Sequence, residues 1–449
     1  MADLAELLSQ YRSEQCPKAA ARLAGLFDDG SYNETGRSFS APGRAPTVMT
    51  ASGRINGLPA YAFAFDSSVD GGAFDEKQAA KVASLYDLAA RNGVPIVGIY
   101  DSKGAYVNDG AAALNGYSLV LSKAAEVSGV VPVIAIADGV CSGSLALCAL
   151  TADILVMTGD AELYIDVNRK LDSKAAAEMG LAAGKTGDIS GAWALVREYL
   201  SHMPSNNLSG VGTEPYGGEK EEAVPTAKEI AVEGSVTELY KDFGTEVCTV
   251  LSAIETPNGS VSGGICCIGS GGTVTGEGLA KAARFARLCD AFSLPIVTVI
   301  DCEGTDCSDA GAYTSFVRAA AAFAEAGTPK IAVVKKAVGA VFTAFAGKNV
   351  SADTVIALAD SLIAPIAPLT AAEFLSHDSL KGSEDTSADR KALADKYAKE
   401  QANAFCAAAC GAADEVCETS ELREKIGEAL AMAAGKRLAK RIPRKHSTL

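Results

Sequence analysis

Residues 91–101 read RNGVPIVGIYD, and residues 291–301 read AFSLPIVTVID. Pro95 and Pro295 stand 200 positions apart, as do Asp101 and Asp301. An amphipathic helical pattern precedes each stretch, AAKVASLYDLAA in the first half and AKAARFARLCDA in the second. A glycine turn follows each, KGAY at 103–106 and EGTD at 303–306, then an Ala-rich helical stretch and a Pro-led apolar strand. Those strands are VPVIAIADG at 131–139 and TPKIAVVKK at 328–336; each runs into small residues, CSGSLAL at 141–147 and VGAVFTAF at 338–345. Solenoid repeats have periods of roughly 20–50 residues. A period near 200 is instead a duplicated domain, and it places the same pair of tight turns in the molecule twice.

The strands PIVGIY and PIVTVI are too continuously apolar for a half-exposed sheet, so they are expected to be covered on both faces by the intervening helices. The fold class that follows is α/β with a repeated β-β-α character. The repeats set the boundaries: a first domain over 1–203, a linker over 204–226, where Gly, Pro, Glu and Asn crowd together, and a second domain over 227–449. RLAGLFDDGSYNE at 22–34 is echoed by VEGSVTELYKDFGTEV at 232–247. The helical stretches 385–402 and 418–441 carry alternating charge and read as surface or oligomer elements.

The chain has 449 residues, 48% of them apolar, enough to bury two cores. No apolar run approaches the ~20 residues a membrane span needs. The N-terminus, MADLAELLSQYRSEQ, is polar and acidic, which reads as cytoplasmic. A net charge of −15 leaves no overall basic field to hold phosphates and argues against nucleic acid as partner; the basic stretch from Lys436 to Lys445 reads as a solvated helix end. Twelve cysteines are scattered in apolar contexts without a C-x-x-C pair, and there are three histidines, His202, His377 and His446. Buried reduced thiols, rather than a metal site or a His-activated nucleophile, account for that pattern.

The chemistry therefore rests on the turns. Where a strand hands over to a helix, at Ser142-Gly143 and at Gly339-Ala340, free backbone N–H groups can bind partial negative charge, and small side chains let a carbonyl oxygen approach. The preceding turns, Gly104-Ala105 and Gly304-Thr305, can supply a complementary N–H. Two converging donors make an oxyanion hole. Close helix–strand packing alone would also select small residues at these places. Asp101, Asp138 and Asp301 follow strands and could act as bases, although such residues more often form turns. GSGGTVTGEG at 269–278 lacks the Lys-Ser/Thr of a phosphate loop and reads as a strand-to-helix loop lining a pocket.

From about residue 22 to the C-terminus the chain resembles the carboxyltransferase subunits of biotin-dependent acyl-CoA carboxylases and decarboxylases, the type of propionyl-CoA carboxylase beta and methylmalonyl-CoA decarboxylase alpha. The segments that carry the likeness include RLAGLFDDGSYNE, GGAFDEKQAAKV, VPIVGIYDSKGAYVNDG, SHMPSNNL, VTELYKDFGTEV, KKAVGAVF and the ending IPRKHSTL. The resemblance implies two tandem crotonase-like domains, each a β-β-α spiral. It implies an active site made by the N-half of one protomer and the C-half of another, in an oligomer between dimer and hexamer. Acyl-CoA would sit on the N-half with its enolate oxygen at Ser142-Gly143, and biotin, borne on a separate carrier protein, on the C-half at Gly339-Ala340. No metal and no protein base are required.

The family's first turn usually reads Ser-Gly-Gly-Ala-Arg, whereas here it is Ser102-Lys103-Gly104-Ala105-Tyr106, without the Arg. The usual Gly-Gly of the N-half hole is matched to Ser142-Gly143, and the usual Pro-Gly-Phe-Xaa-Pro-Gly loop reads Glu303-Gly304-Thr305-Asp306-Cys307-Ser308. The position that helps set acyl length is matched to Phe342, whose ring would narrow the pocket. Nothing in the chain resembles a biotin-carrier motif or an ATP-binding carboxylase domain, so a biotin carboxylase or a membrane decarboxylase subunit must be another chain, with this one cytoplasmic or peripheral to a membrane complex. The small, Cys-rich, carrier-less sequence inclines to the decarboxylase of a sodium-pump complex. The alternatives are a carboxylase beta subunit and a non-catalytic scaffold that keeps the fold.

Overall fold

The structure is a computed structural model and describes all residues except 1–3, 13–15, 38, 41–43, 212, 215–226, 228, 349, 382–385 and 437–449. Most of the expected linker, the ending IPRKHSTL and nearly all of the basic tail lie outside the described residues. The chain divides into two compact units, Met1–Gly210 and Val211–Leu449.

In the first unit an antiparallel hairpin, Val48–Ile55 with Leu58–Phe65, turns at Asn56-Gly57. It leads into the helix Glu76–Asn92, whose N-terminus is capped by the Asp75 carboxylate accepting from the Gln78 N–H at 2.8 Å. The chain then alternates: strand Ile96–Ser102, helix Ala112–Val127, strand Val133–Ser142, helix Ser144–Leu150, strand Ile154–Met157. From Leu58–Phe65 onward each of these four strands pairs parallel with the next. Every residue of Ile96–Ser102 is buried, as expected of a parallel strand covered on both faces.

The second unit repeats the order. Its hairpin is Val247–Thr256 with Gly259–Ile268, followed by helix Gly276–Ala291, strand Ile296–Cys302, helix Ala310–Glu325, strand Lys330–Val338, helix Ala340–Phe345 and strand Thr354–Ala364. Its parallel pairings run in the same sequence. This is the β-β-α spiral, built twice.

Details of register repeat as well. The Tyr61 N–H donates to Pro95 O at 2.9 Å, and the Gly264 N–H to Pro295 O at 2.8 Å. The Asp153 carboxylate accepts from the Val133 N–H at 2.9 Å, and Asp353 accepts from the Lys330 N–H at 2.8 Å. The sheet register slips between Tyr100 and Ser102 in one unit and between Ile300 and Asp301 in the other. Such bulges re-aim the end of a strand, and here they lie just before the two glycine turns.

The cores differ in filling. The first unit packs Phe63, Phe65, Phe74, Tyr86 and Tyr100 beneath the sheet, with the Phe63 and Tyr100 rings edge-on at 5.6 Å. In the second, Phe345 meets Phe323 edge-on at 5.1 Å. Two lysines at equivalent positions are buried. Lys81 donates to Val48 O at 2.9 Å and Lys281 to Phe243 O at 3.0 Å. Burial lowers both, Lys81 to about 8.

Candidate active site

Gly143 and Gly339 close their strands in nearly the same conformation, φ 59° and ψ −132° against φ 59° and ψ −128°. Only glycine adopts this combination readily, and in each case it turns the chain directly into a short helix. The N–H of each glycine is engaged: Gly143 donates to Tyr164 O at 2.8 Å and Gly339 to Ala364 O at 2.9 Å. The donors the turns leave open are those of the first helical residues, Ser144 and Ala340, which have no acceptor one turn earlier. The structure therefore aligns Gly143-Ser144 with Gly339-Ala340. Ser142 is the last strand residue and corresponds to Val338. Pairing Ser142-Gly143 with Gly339-Ala340 takes an offset of 197, whereas the two turns match in conformation at an offset of 196, Gly143 with Gly339.

The second arm comes from the preceding turn. Phe74 bridges Ala105 in parallel, its N–H donating to Gly104 O at 2.9 Å and its carbonyl accepting from the Tyr106 N–H at 2.9 Å. Alternate peptides of an extended strand face opposite edges, so the Ala105 N–H faces away from Phe74. A Cβ placed on Gly104 would lie 3.2 Å from Ser142 Oγ, which marks how closely the two turns approach. In the second unit Val274 pairs with Thr305 and accepts from the Asp306 N–H at 2.8 Å, leaving the Thr305 N–H on the same kind of edge. GSGGTVTGEG is thus the strap beneath this turn: Thr273-Val274 pair with Gly304-Thr305, and the Glu303 N–H donates to Gly272 O at 2.9 Å.

The carboxylates near the first pair are occupied. Arg22 lies 2.9 Å from Asp101 and 2.8 Å from Asp138, and its guanidinium also donates to Phe65 O at 3.0 Å. Asp101 accepts from Ser67 Oγ at 2.7 Å, and Asp138 from Thr158 Oγ1 at 2.9 Å. Both are structural anchors here. Asp301 has Lys335 at 3.8 Å. Burial pushes the Cys141, Cys148 and Cys302 thiols up, Cys148 to about 12, so none is a poised nucleophile. Among the described residues no cluster of His, Cys, Asp or Glu could hold a metal ion.

One further residue, Arg44, was not legible in the sequence. Tyr106 stands where the family motif has Arg, and a guanidinium reaches it from elsewhere: Arg44 lies 3.7 Å above the Tyr106 ring, held by Asp109 at 2.6 Å and Asp75 at 3.0 Å. Phe342 does not join the core with Phe345; it is half-buried while Phe345 is fully buried.

A β-β-α spiral built twice, with open amides at the turns of each copy, is the architecture of a crotonase-like carboxyltransferase. Residues 18–449 match the family described as carboxyl transferase domain, and the chain belongs to it. It is 28% identical to a propionyl-CoA carboxylase beta chain of Cereibacter sphaeroides, covering 94% of this chain and 91% of that one. It is 27% identical to the methylmalonyl-CoA decarboxylase subunit alpha of Propionigenium modestum, over 93% and 90%. A transcarboxylase 12S crystal structure, described as a hexamer assembly with methylmalonyl-coenzyme A bound, superposes with a TM-score of 0.88 at 26% identity, covering 99% of this chain and 97% of that one.

Proposed function

We propose that this chain moves a carboxyl group between biotin on a separate carrier protein and an acyl-CoA of the malonyl or methylmalonyl type. What supports the reading is that each unit leaves the same amides open at its two turns, Ala105 and Ser144 in one, Thr305 and Ala340 in the other, in a chain whose relatives are named for this chemistry. The thioester oxygen accepts from Ala105 and Ser144, and these fixed dipoles stabilise the charge that grows on it as the α-carbon becomes an enolate carbon. Thr305 and Ala340 offer neutral donors, which suits a ureido carbonyl oxygen. Biotin, when bound, supplies the carboxyl group and a nitrogen able to take the α-proton, so the chain need only position and polarise. That agrees with Asp101 and Asp138 being tied to Arg22.

Direction follows the partner, a biotin carboxylase or a membrane decarboxylase subunit, and we favour the decarboxylase. No helix among the described residues is long and apolar enough to cross a membrane, which suits a cytoplasmic place at the edge of such a complex. The domains act as divided in the sequence, 1–203 on acyl-CoA and 227–449 on biotin, with the holes of different protomers facing each other in an oligomer up to a hexamer. A monomer by light scattering at micromolar concentration, still active, would sink the shared site. The function itself is tested by mixing the protein with a biotinylated carrier and CoA thioesters from malonyl to glutaryl. Transfer to biotin supports it. Tight CoA-ester binding with no transfer in either direction would favour the scaffold.

A further inference from the structure

Tyr117, on the helix Ala112–Val127, is 6% exposed, yet its hydroxyl has no hydrogen-bond partner among the described residues. The ring is held by packing, its centroid 5.2 Å from that of Phe74, the residue that bridges Ala105. The hydroxyl end points at the first turn: a Cβ placed on Gly104 would lie 4.0 Å from the hydroxyl oxygen and 3.2 Å from Ser142 Oγ. The ring is buried while the hydroxyl is left without a partner among the described residues, so its donor is available on the side of the first turn. Here it lies beside the edge on which the Ala105 N–H is open, so a ligand oxygen reaching that N–H would come within range of the phenol.

We infer that the Tyr117 hydroxyl is a third hydrogen-bond donor of the acyl-side hole, contacting the thioester or the acyl group of the bound CoA ester. The inference rests on the proposed function of that hole. Burial raises the phenol above its ordinary value, which keeps it protonated and able to donate at neutral pH. No proton is transferred; the bond to the oxygen shortens as negative charge develops on it. Charge-assisted hydrogen bonds are about twice as strong as neutral ones, so the contribution is larger in the enolate than in the ground state and belongs in kcat rather than KM. The corresponding helix of the second unit, Ala310–Glu325, carries Tyr313, which is exposed and not buried against the turn as Tyr117 is, so this donor serves one half of the site.

Tyr117→Phe deletes the hydroxyl and keeps the ring against Phe74. In the full-length protein, carboxyl transfer from methylmalonyl-CoA to biotin should lose roughly 10- to 100-fold in kcat, with KM changed less than about threefold and the melting temperature kept. A nitroalkyl thioether of CoA, whose nitronate copies the enolate charge, provides a readout that needs no turnover. Tyr117→Phe should weaken its binding about tenfold or more, while leaving the affinity for CoA itself within about twofold. Equal weakening of both ligands, an unchanged nitronate affinity, or a loss of activity that only tracks unfolding would return Tyr117 to a packing role. If the native protein binds the nitronate tightly but transfers nothing, the proposed function fails, and the binding ratio still decides the role of Tyr117.

Discussion

Gly143→Ala isolates the hole from the rest of the fold. Gly143 sits at φ 59° and ψ −132°, where an L-residue is strained by its own backbone. A Cβ there would meet nothing within 4 Å, so the cost is conformational and not steric, on the order of 1–3 kcal/mol. The chain can absorb that strain only by rotating the Gly143–Ser144 peptide, the unit that carries the Ser144 N–H. Loss of one aligned donor from an oxyanion hole is worth about 10²–10³ in kcat. The expected outcome is a folded protein, destabilised by no more than about 3 kcal/mol, whose transfer from methylmalonyl-CoA to biotin falls roughly 100-fold or more. Denaturant melts and steady-state kinetics on the same preparation separate the two effects. A Gly143→Ala protein with kcat within threefold of the parent would show the turn to be a packing device and not a hole.

Other expectations follow from the same geometry. Phe342→Ala should shift kcat/KM toward longer acyl-CoAs by about tenfold or more, because one methylene in an apolar pocket is worth ~1–3 kcal/mol; an unchanged ratio would remove Phe342 from the acyl pocket. Arg22→Met leaves Asp101 and Asp138 without their cation and should cost about 3–5 kcal/mol in a denaturant melt; a loss below about 1 kcal/mol would show the network to be dispensable. Lys81 is lowered by burial to about 8 from an ordinary 10.5, so between those values the unfolded chain holds more protons and stability rises with pH. Below pH 8 that contribution is flat, and Lys81→Met should abolish the rise, of order 3 kcal/mol; an identical pH slope in the variant would contradict it.

The duplication made much of this readable. PIVGIYD and PIVTVID are buried parallel strands because the residues ahead of the closing Asp are continuously apolar or nearly so. The glycine turns were legible as turns for the same reason that they work: only glycine tolerates their backbone. Which peptide is left open was not legible. The Gly143 N–H is consumed by the carbonyl of Tyr164, a residue from a later strand, and no local pattern announces such a partner. Arg22 is equally silent in the sequence, since its two carboxylates lie 79 and 116 positions away and are brought to it by the sheet. Tyr117 carries no local signal in the sequence; the fold brings its hydroxyl to Gly104.

Carboxyl transfer is tested by following the carboxyl carbon itself. The protein is incubated with methylmalonyl-CoA carrying ¹³C in its free carboxyl group, together with a biotinylated carrier, and the carrier is examined by mass spectrometry under alkaline conditions that preserve carboxybiotin. The label is expected on the carrier, with propionyl-CoA formed in equal amount and both lost together in Gly143→Ala. Unlabelled carrier beside intact, bound methylmalonyl-CoA would contradict that expectation.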